Sequence, residues 1–237
     1  MSDNYNIFTE LHLEKKETFH SAMIAAIASH DEKSQNAFFE MLSKAVNRDM
    51  DDRIITDHIL DKNSFNNNFE ELKNSIDRNN GKHLWIDNEV HLSETIKNET
   101  SNEYRDRGRA DIWVGTNKDD AKPKYRLIIE NKINAGNQYR QLRRYYRYLT
   151  GNNRENAGLF FLCVVDNDDF RQQAKDSAQI FNSESNGKEK DTTKFAIITY
   201  KDDIIPWLKE VINKAVGDFK KVVSDYLNLV ESLVKNW

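Results

Sequence analysis

The sequence predicts an α/β fold: a mixed central sheet of about five strands flanked by helices, with a helical N-terminal region and C-terminal helices. Three observations predict it. Short β-branched or aromatic runs crowd the middle of the chain, at 83–92 (HLWIDNEVHL), 109–114 (RADIWV), 125–133, 158–165 (GLFFLCVV) and 195–200 (FAIITY). On both sides of that block, apolar residues recur at helical spacing. Helical stretches also separate the third run from the fourth and the fourth from the fifth, giving the order ββ-β-α-β-α-β.

Each element has its own signature. Residues 14–29, EKKETFHSAMIAAIAS, set Phe19, Ala22, Met23, Ala26 and Ile27 at helical spacing, with acidic residues in the first turns where the helix dipole favours them. A second helix starts near Ser34 and buries Phe38, Met41, Leu42, Ala45 and Val46. Further helical stretches are expected around 52–60 and 68–77, joined by the connector NSFNNNF. Between the second and third strands, TNKDDAKPK is polar and contains proline, so it reads as a hairpin turn. Helices are expected over about 137–149 and 170–181, then over 202–211 and 217–234. The last carries an apolar stripe of Val222, Val223, Tyr226, Leu229, Val230 and Leu233, which reads as core, or alternatively as the interface of a homodimer. No internal repeat is found. One domain over 1–237 is expected, with a helical part at about 1–80, an α/β core at about 83–200 and closing helices at about 202–236.

Composition narrows the class. With 237 residues, 38% hydrophobic and 31% charged, and only 8 Gly and 2 Pro, the chain describes a soluble, helix-rich globular protein and not a disordered or fibrous one. Its single cysteine, Cys163, lies inside an apolar run, which points to a small core residue in a reducing compartment. No apolar segment reaches the roughly 18 to 20 residues of a membrane helix, and residues 1–10 lack a signal-peptide pattern, so a cytoplasmic protein is expected. A net charge of −4 argues against a surface that coats nucleic acid throughout, and directs attention to local clusters of cations.

The third strand carries charge where a core strand should not. In LIIENKI (127–133), Ile128, Glu130 and Lys132 share one face, and Leu127, Ile129, Asn131 and Ile133 share the other. An edge strand with a solvated ion pair explains Glu130 and Lys132 alone. It does not explain the facing strand: folding the hairpin about 120–121 sets Asp111 opposite Glu130, with side chains about 5 Å apart at the backbone end. Like charges so placed are destabilising unless a cation lies between them, so Asp111 and Glu130, with the strand carbonyl of Asn131, form a candidate site for Mg²⁺. Zinc lacks donors in the expected spacing, since the six histidines form no ligand pairs and there is one cysteine. Phosphate-cradling and dinucleotide glycine loops are absent, and no G-x-S-x-G supports a serine nucleophile.

The helix that follows, NQYRQLRRYYRYL, divides into three faces at about 100° per residue. Leu142, Tyr146 and Leu149 are expected to be buried; Arg140, Arg143, Arg144 and Arg147 line up as a cationic stripe; Gln141, Tyr145 and Tyr148 lie between. Arginines that neutralise phosphates beside tyrosines that stack or donate hydrogen bonds suit a nucleic-acid groove.

The segment GRADIWVG...LIIENKINAGNQYRQLRRYYRYL resembles the PD-(D/E)XK nuclease superfamily, in the branch with G-R-x-D, I-E-N-K-I and Q-L-x-x-Y motifs. ETFHSAMIAAI and TYKDDIIPWLKEV are similar to that branch's first helix and closing segment, so most of the chain is covered. The resemblance implies a restriction-endonuclease-like core and a metal-dependent phosphodiesterase. It implies that Asp111 and Glu130 bind Mg²⁺, for which Mn²⁺ substitutes, and that Lys132 handles the attacking water. It extends the metal site to Glu17, and it implies that Gln141 and Tyr145 support the lysine or hold backbone phosphate. Ala110 stands where the superfamily's name has proline, as the G-R-x-D form allows. His20 is expected to be a packed or hydrogen-bonded core residue, and Glu89 offers a further strand carboxylate to the pocket. DNA is the implied substrate and restriction or defence against foreign DNA the implied role; a catalytically inactive nucleic-acid-binding protein on the same fold is the alternative.

Overall fold

In the computed structural model the described residues are 8, 11–13, 15–47, 85–92, 108–115, 126–134, 141–150, 157–178 and 195–237. The helical stretches expected around 52–60 and 68–77, the turn at 116–124 and Arg140 lie outside them, as do the side chains of Arg143, Tyr146 and Arg147.

Five strands lie side by side in chain order: β1 (Trp85–Leu92), β2 (Gly108–Gly115), β3 (Arg126–Lys132), β4 (Ala157–Cys163) and β5 (Ala196–Thr199). β1–β2 and β2–β3 are antiparallel; β3–β4 and β4–β5 are parallel. Connection length decides which, because a hairpin returns the chain antiparallel whereas a parallel neighbour needs a crossover. The crossovers carry α3 (Gln141–Thr150) and α4 (Asp168–Ala178). The sheet is thus mixed and flanked by helices, the restriction-endonuclease-like α/β arrangement.

The β4 run GLFFLCV explains why this strand is near the middle: Leu159 to Val164 are all 0% exposed, with Leu159, Phe161 and Cys163 in one layer and Phe160, Leu162 and Val164 in the other. Each such apolar side chain contributes about 1.5–3 kcal/mol on burial. The first layer, with α3 and α4, gathers Trp113, Ile128, Leu142 and Phe161. The second is larger. It holds α1 (Glu17–Ala28), α2 (Glu32–Asn47), α5 (Ile205–Lys214) and α6 (Gly217–Lys235), and it joins Ile24, Phe38, Ile129, Trp207 and Leu229 in one apolar cluster. No helix among the described residues is long and apolar enough to cross a membrane.

Several elements depart from the local reading, each for a physical reason. Helix α1 is rotated: His20, Ser21, Ile24, Ala25, Ile27 and Ala28 are buried, whereas Ala26 is exposed and Phe19 and Met23 are half-buried. Two polar residues took the inner face because they find partners there. Helix α4 starts before Phe170, since Asn167 Oδ1 accepts the Phe170 N–H at 2.9 Å and caps it. Strand β5 stops at Thr199 and a single π-helical turn, Tyr200–Ile204, precedes α5. Thr199 drives that change: its Oγ1 accepts from the Asp202 N–H at 2.9 Å, and its own N–H donates to Asp203 Oδ2 at 2.7 Å. In the α6 stripe, Val223, Tyr226, Leu229, Val230 and Leu233 are core, and Val222 is 43% exposed. Cys163 is buried and carries a free thiol.

Candidate active site

Strands β2 and β3 stop pairing at Ile112 and Ile129, yet β2 continues along β1 to Gly108 and β3 along β4 to Lys132. The sheet forks there. One further step of the same register sets Asp111 opposite Glu130, as the hairpin reading predicts. At the fork the Asp111 carboxylate replaces the missing main-chain acceptor: Oδ2 accepts the Asn131 N–H at 2.8 Å. Strand β1 is irregular at the same level. Its pairing with β2 skips Glu89 and Asp111, and Glu89 has φ +58°, a conformation that L residues rarely adopt. Ile86 and Ile112 pack in the α1/α5 layer while Val90 and Ala110 pack in the α3 layer, so the ribbon changes face around this point. Bulge-like distortions of this kind re-aim side chains next to functional sites.

Glu130 and Lys132 share the α3 side of β3, 1% and 6% exposed, as strand alternation requires. Lys132 Nζ is 2.6 Å from Glu130 Oε1, a buried ion pair, and the Tyr145 hydroxyl also faces the Glu130 carboxylate. Burial pushes the Glu130 carboxyl up, against the pull of Lys132. Burial, and after it the charge of Glu130, push the Asp111 carboxyl up to about 8. Burial pulls the Lys132 ammonium down, but Glu130 and Asp111 outweigh it and its net shift is upward. The fork therefore holds one more acid than base in a poorly solvated space.

That donor set fits a hard divalent cation. Two carboxylates close enough to raise one another's proton affinity are ready ligands, and a divalent charge beside them would relieve the repulsion that adds to burial in raising the Asp111 carboxyl. Among the described residues no three His, Cys, Asp or Glu side chains converge on a metal position. The protein ligands would then be Asp111, Glu130 and a main-chain carbonyl, with water completing the shell, a composition that Mg²⁺ accepts.

A family model of the PD-(D/E)XK nuclease superfamily matches residues 5–228. The chain belongs to that superfamily. No curated protein and no solved structure gives a match. PD-(D/E)XK proteins are generally nucleases, hydrolases that act on nucleic acid, and they typically use divalent metals. The fork brings together Asp111, Glu130 and Lys132, the three residues that the sequence resemblance singles out.

The other expected site residues of this PD-(D/E)XK chain are placed as follows. Glu17 reaches the end of β3, where its Oε1 accepts from the Ile133 N–H at 2.7 Å and the Asn134 N–H at 3.0 Å. Gln141 and Tyr145 contact each other, Nε2 donating to the tyrosine hydroxyl at 2.9 Å, and that hydroxyl donates to the Arg109 carbonyl at 2.7 Å. Both lie on the buried face of α3 and not on its flank, because the hydroxyl has an acceptor on β2. Burial, then Glu130, push the Tyr145 hydroxyl up, so it stays a protonated donor. Arg144 is half-buried. Glu89 pairs with Arg109 across the β1–β2 ribbon. His20 is fully buried, its Nδ1 3.0 Å from the Tyr226 hydroxyl.

One residue carries more than its sequence reading. Asn131, expected to contribute only its carbonyl, is 0% exposed, and its side chain engages Glu17, Ser21 and Tyr200 on the other face of the sheet. The signal was an amide among Leu127, Ile129 and Ile133 on the apolar side of β3.

Proposed function

We propose that the protein is a Mg²⁺-dependent nuclease that hydrolyses phosphodiester bonds of DNA, with Mn²⁺ able to substitute, and that Asp111, Glu130 and Lys132 carry the reaction. One observation supports this most directly: two acids from neighbouring strands and a lysine meet at the fork, with Glu130 and Lys132 buried and Lys132 Nζ 2.6 Å from Glu130 Oε1. When held by Asp111, Glu130 and the Asn131 carbonyl, the cation supplies a water of lowered pKa and neutralises charge on the phosphoryl oxygens. Lys132, kept cationic by Glu130, donates hydrogen bonds to the attacking water and to the phosphate, so charge that develops in the transition state meets a preset donor. Water oxygen bonds to phosphorus as the ester P–O bond breaks; the water loses one proton to bulk solvent, and the leaving oxygen takes one from solvent. Tyr145 and Gln141 hold the Arg109 carbonyl and with it the strand that presents Asp111. Glu17 fixes the far end of β3 and lies close enough to add charge to Glu130. Arg140, Arg143, Arg144 and Arg147 contact flanking phosphates. The whole of 1–237 acts as one catalytic domain, a reading supported by the apolar cluster that joins α1, α2, the sheet, α5 and α6. A cytoplasmic role in restriction or defence follows the motif resemblance.

The test is cleavage of supercoiled, linear and single-stranded DNA and of RNA, with Mg²⁺, Mn²⁺ or chelator. Metal-dependent cutting of DNA by the wild type and none by Asp111→Ala or Lys132→Ala is the expected result. Equal activity in all three proteins would refute the assignment. Salt-sensitive DNA binding with no hydrolysis in any divalent metal would instead establish a catalytically inactive binding protein.

A further inference from the structure

We infer that the Asn131 side chain, with Tyr200 and Ser21, is a positioning device that sets the Glu130–Lys132 main chain from the face of the sheet opposite the proposed reaction. The inference rests on the nuclease reading and deepens it.

Strand alternation sends Asn131 away from its neighbours Glu130 and Lys132 and into the α1/α5 layer, where packing alone calls for an apolar residue. A buried amide left unpaired costs about 1–3 kcal/mol, so its presence needs partners. Each polar group of the side chain has one or more. Its Nδ2 donates to the Glu17 carbonyl and to Ser21 Oγ, both at 3.1 Å, and its Oδ1 accepts from the Tyr200 hydroxyl at 3.0 Å. A carbonyl can only accept, so the Glu17 contact fixes which end of the amide is nitrogen. Meanwhile the Asn131 N–H holds Asp111. One residue thus joins α1, β2, β3 and the π turn.

The partners are themselves held. Glu17 and Ser21 are one turn apart on α1, and Ser21 Oγ donates to the same Glu17 carbonyl at 2.9 Å. The Glu17 side chain grips Ile133 N and Asn134 N, so α1 anchors β3 immediately before and after Lys132. Tyr200 is buried at the start of the π turn, which the Thr199 and Asp203 bonds pin, and π turns often mark functional sites. With the main chain fixed on both sides, the Lys132 ammonium and the Glu130 carboxylate keep their mutual placement.

A core that merely needs polar satisfaction would lose stability in the same variants, so the test must separate the two roles. Full-length wild type, Tyr200→Phe, Ser21→Ala, Asn131→Leu and Phe38→Leu are compared by Mn²⁺ titration calorimetry, by kcat and KM on duplex DNA, and by thermal unfolding. Outer-shell partners of metal ligands are worth about 10–100-fold in affinity or activity. Tyr200→Phe and Asn131→Leu are therefore expected to weaken Mn²⁺ binding and lower kcat by about tenfold or more, with KM for DNA held, and Ser21→Ala to do so less. Phe38→Leu, in the same apolar layer but packed on Trp207 and away from the Asn131 network, is expected to lower stability and leave both readouts unchanged. Tyr200→Phe removes a single oxygen, so the test survives if Asn131→Leu fails to fold. Wild-type Mn²⁺ affinity and kcat in Tyr200→Phe, or a rise in KM alone, overturns the positioning role while the nuclease reading stands. A wild type that neither binds Mn²⁺ nor cleaves removes both.

Discussion

Glu130 and Asn131 are adjacent in sequence, equally buried, and opposite in their surroundings. On the α1/α5 face, Asn131 has its side-chain donors and acceptor bonded to groups on α1 and the π turn. On the α3 face, Glu130 has one ammonium, Lys132 Nζ at 2.6 Å, and a second acid, Asp111, close enough to repel it. A chain able to satisfy one residue so fully had the means to satisfy the next. The difference separates a face built to hold position from a face left electrostatically incomplete, where two acids share one ammonium and a cation would balance the charge.

Breaking the incomplete face should have the largest effect. Lys132→Met removes the buried ammonium at the fork, and kcat for DNA cleavage is expected to fall by about 10²–10³, the range for loss of a single preset donor to transition-state charge. Folding should survive, because Lys132 is the charge that opposes burial at the Glu130 carboxyl, and its loss raises that carboxyl's proton affinity further. Steady-state kinetics with circular dichroism on the same samples checks both halves. Full activity in the variant would place the chemistry elsewhere.

The second effect has the opposite sign for stability. A carboxyl raised in the folded state binds its proton more tightly there than in the unfolded chain, so its contribution is fully present below the ordinary carboxylate value and is lost as pH rises through about 8. In chelator, wild-type thermal stability should therefore decline from about pH 4 toward pH 8. Asp111→Asn keeps an acceptor for the Asn131 N–H and deletes the charge. It should flatten that decline and raise Tm at pH 8 by about 2–4 °C, the shift that 1 kcal/mol gives in a chain of this size. Mg²⁺ should stabilise the wild type and not the variant. Scanning calorimetry across pH reads all three, and a variant less stable than wild type in chelator at pH 8 would contradict the electrostatic account.

Much of this contrast is legible in the residues themselves. Alternation in LIIENKI assigns Glu130 and Lys132 to one face, and the centre of the hairpin pairs Asp111 with Glu130. Both are local properties of period and turn length. What escapes is set by distant partners. Apolar spacing alone leaves His20 and Ser21 off the inner stripe of α1, because the hydroxyl that receives His20 belongs to Tyr226, 206 positions on, and the amide that receives Ser21 belongs to Asn131. The three faces of α3 put Tyr145 on a flank for the same reason, its acceptor being the Arg109 carbonyl on β2. The left-handed Glu89 and the π turn after Thr199 have no periodic signature, since each is a single-residue response to pairing across the sheet or to a side chain four positions away.

Tyr145 and Tyr200 allow a gentler version of the comparison, one hydroxyl on each face. Tyr145→Phe strands the Arg109 carbonyl and the Gln141 Nε2 donor, and should lower stability by about 1 kcal/mol, the net worth of a typical hydrogen bond. Because the Arg109 carbonyl lies on β2, two positions from Asp111, while Tyr200 bonds the side chain of Asn131 itself, Mn²⁺ affinity should fall less in Tyr145→Phe than in Tyr200→Phe. Chemical denaturation and the same metal titration rank the pair. The reverse order would make β2, and not β3, the strand whose placement limits the site.

The smallest effect belongs to the helix that faces outward from the incomplete side. Arg144 on α3 is proposed to touch backbone phosphate, and such an interaction carries no sequence information, so Arg144→Ala should weaken every DNA sequence alike. Each phosphate that the protein ceases to neutralise reduces the slope of log affinity against log salt by about 0.9 on duplex DNA. The measurement is a binding titration at several salt concentrations in Ca²⁺, to suppress turnover, with kcat at saturating DNA taken separately. A shallower slope with unchanged kcat would assign Arg144 to docking. An unchanged slope with reduced kcat would move it from the groove into the fork, and the contrast between the two faces of β3 would then include α3 as a third supplier of charge.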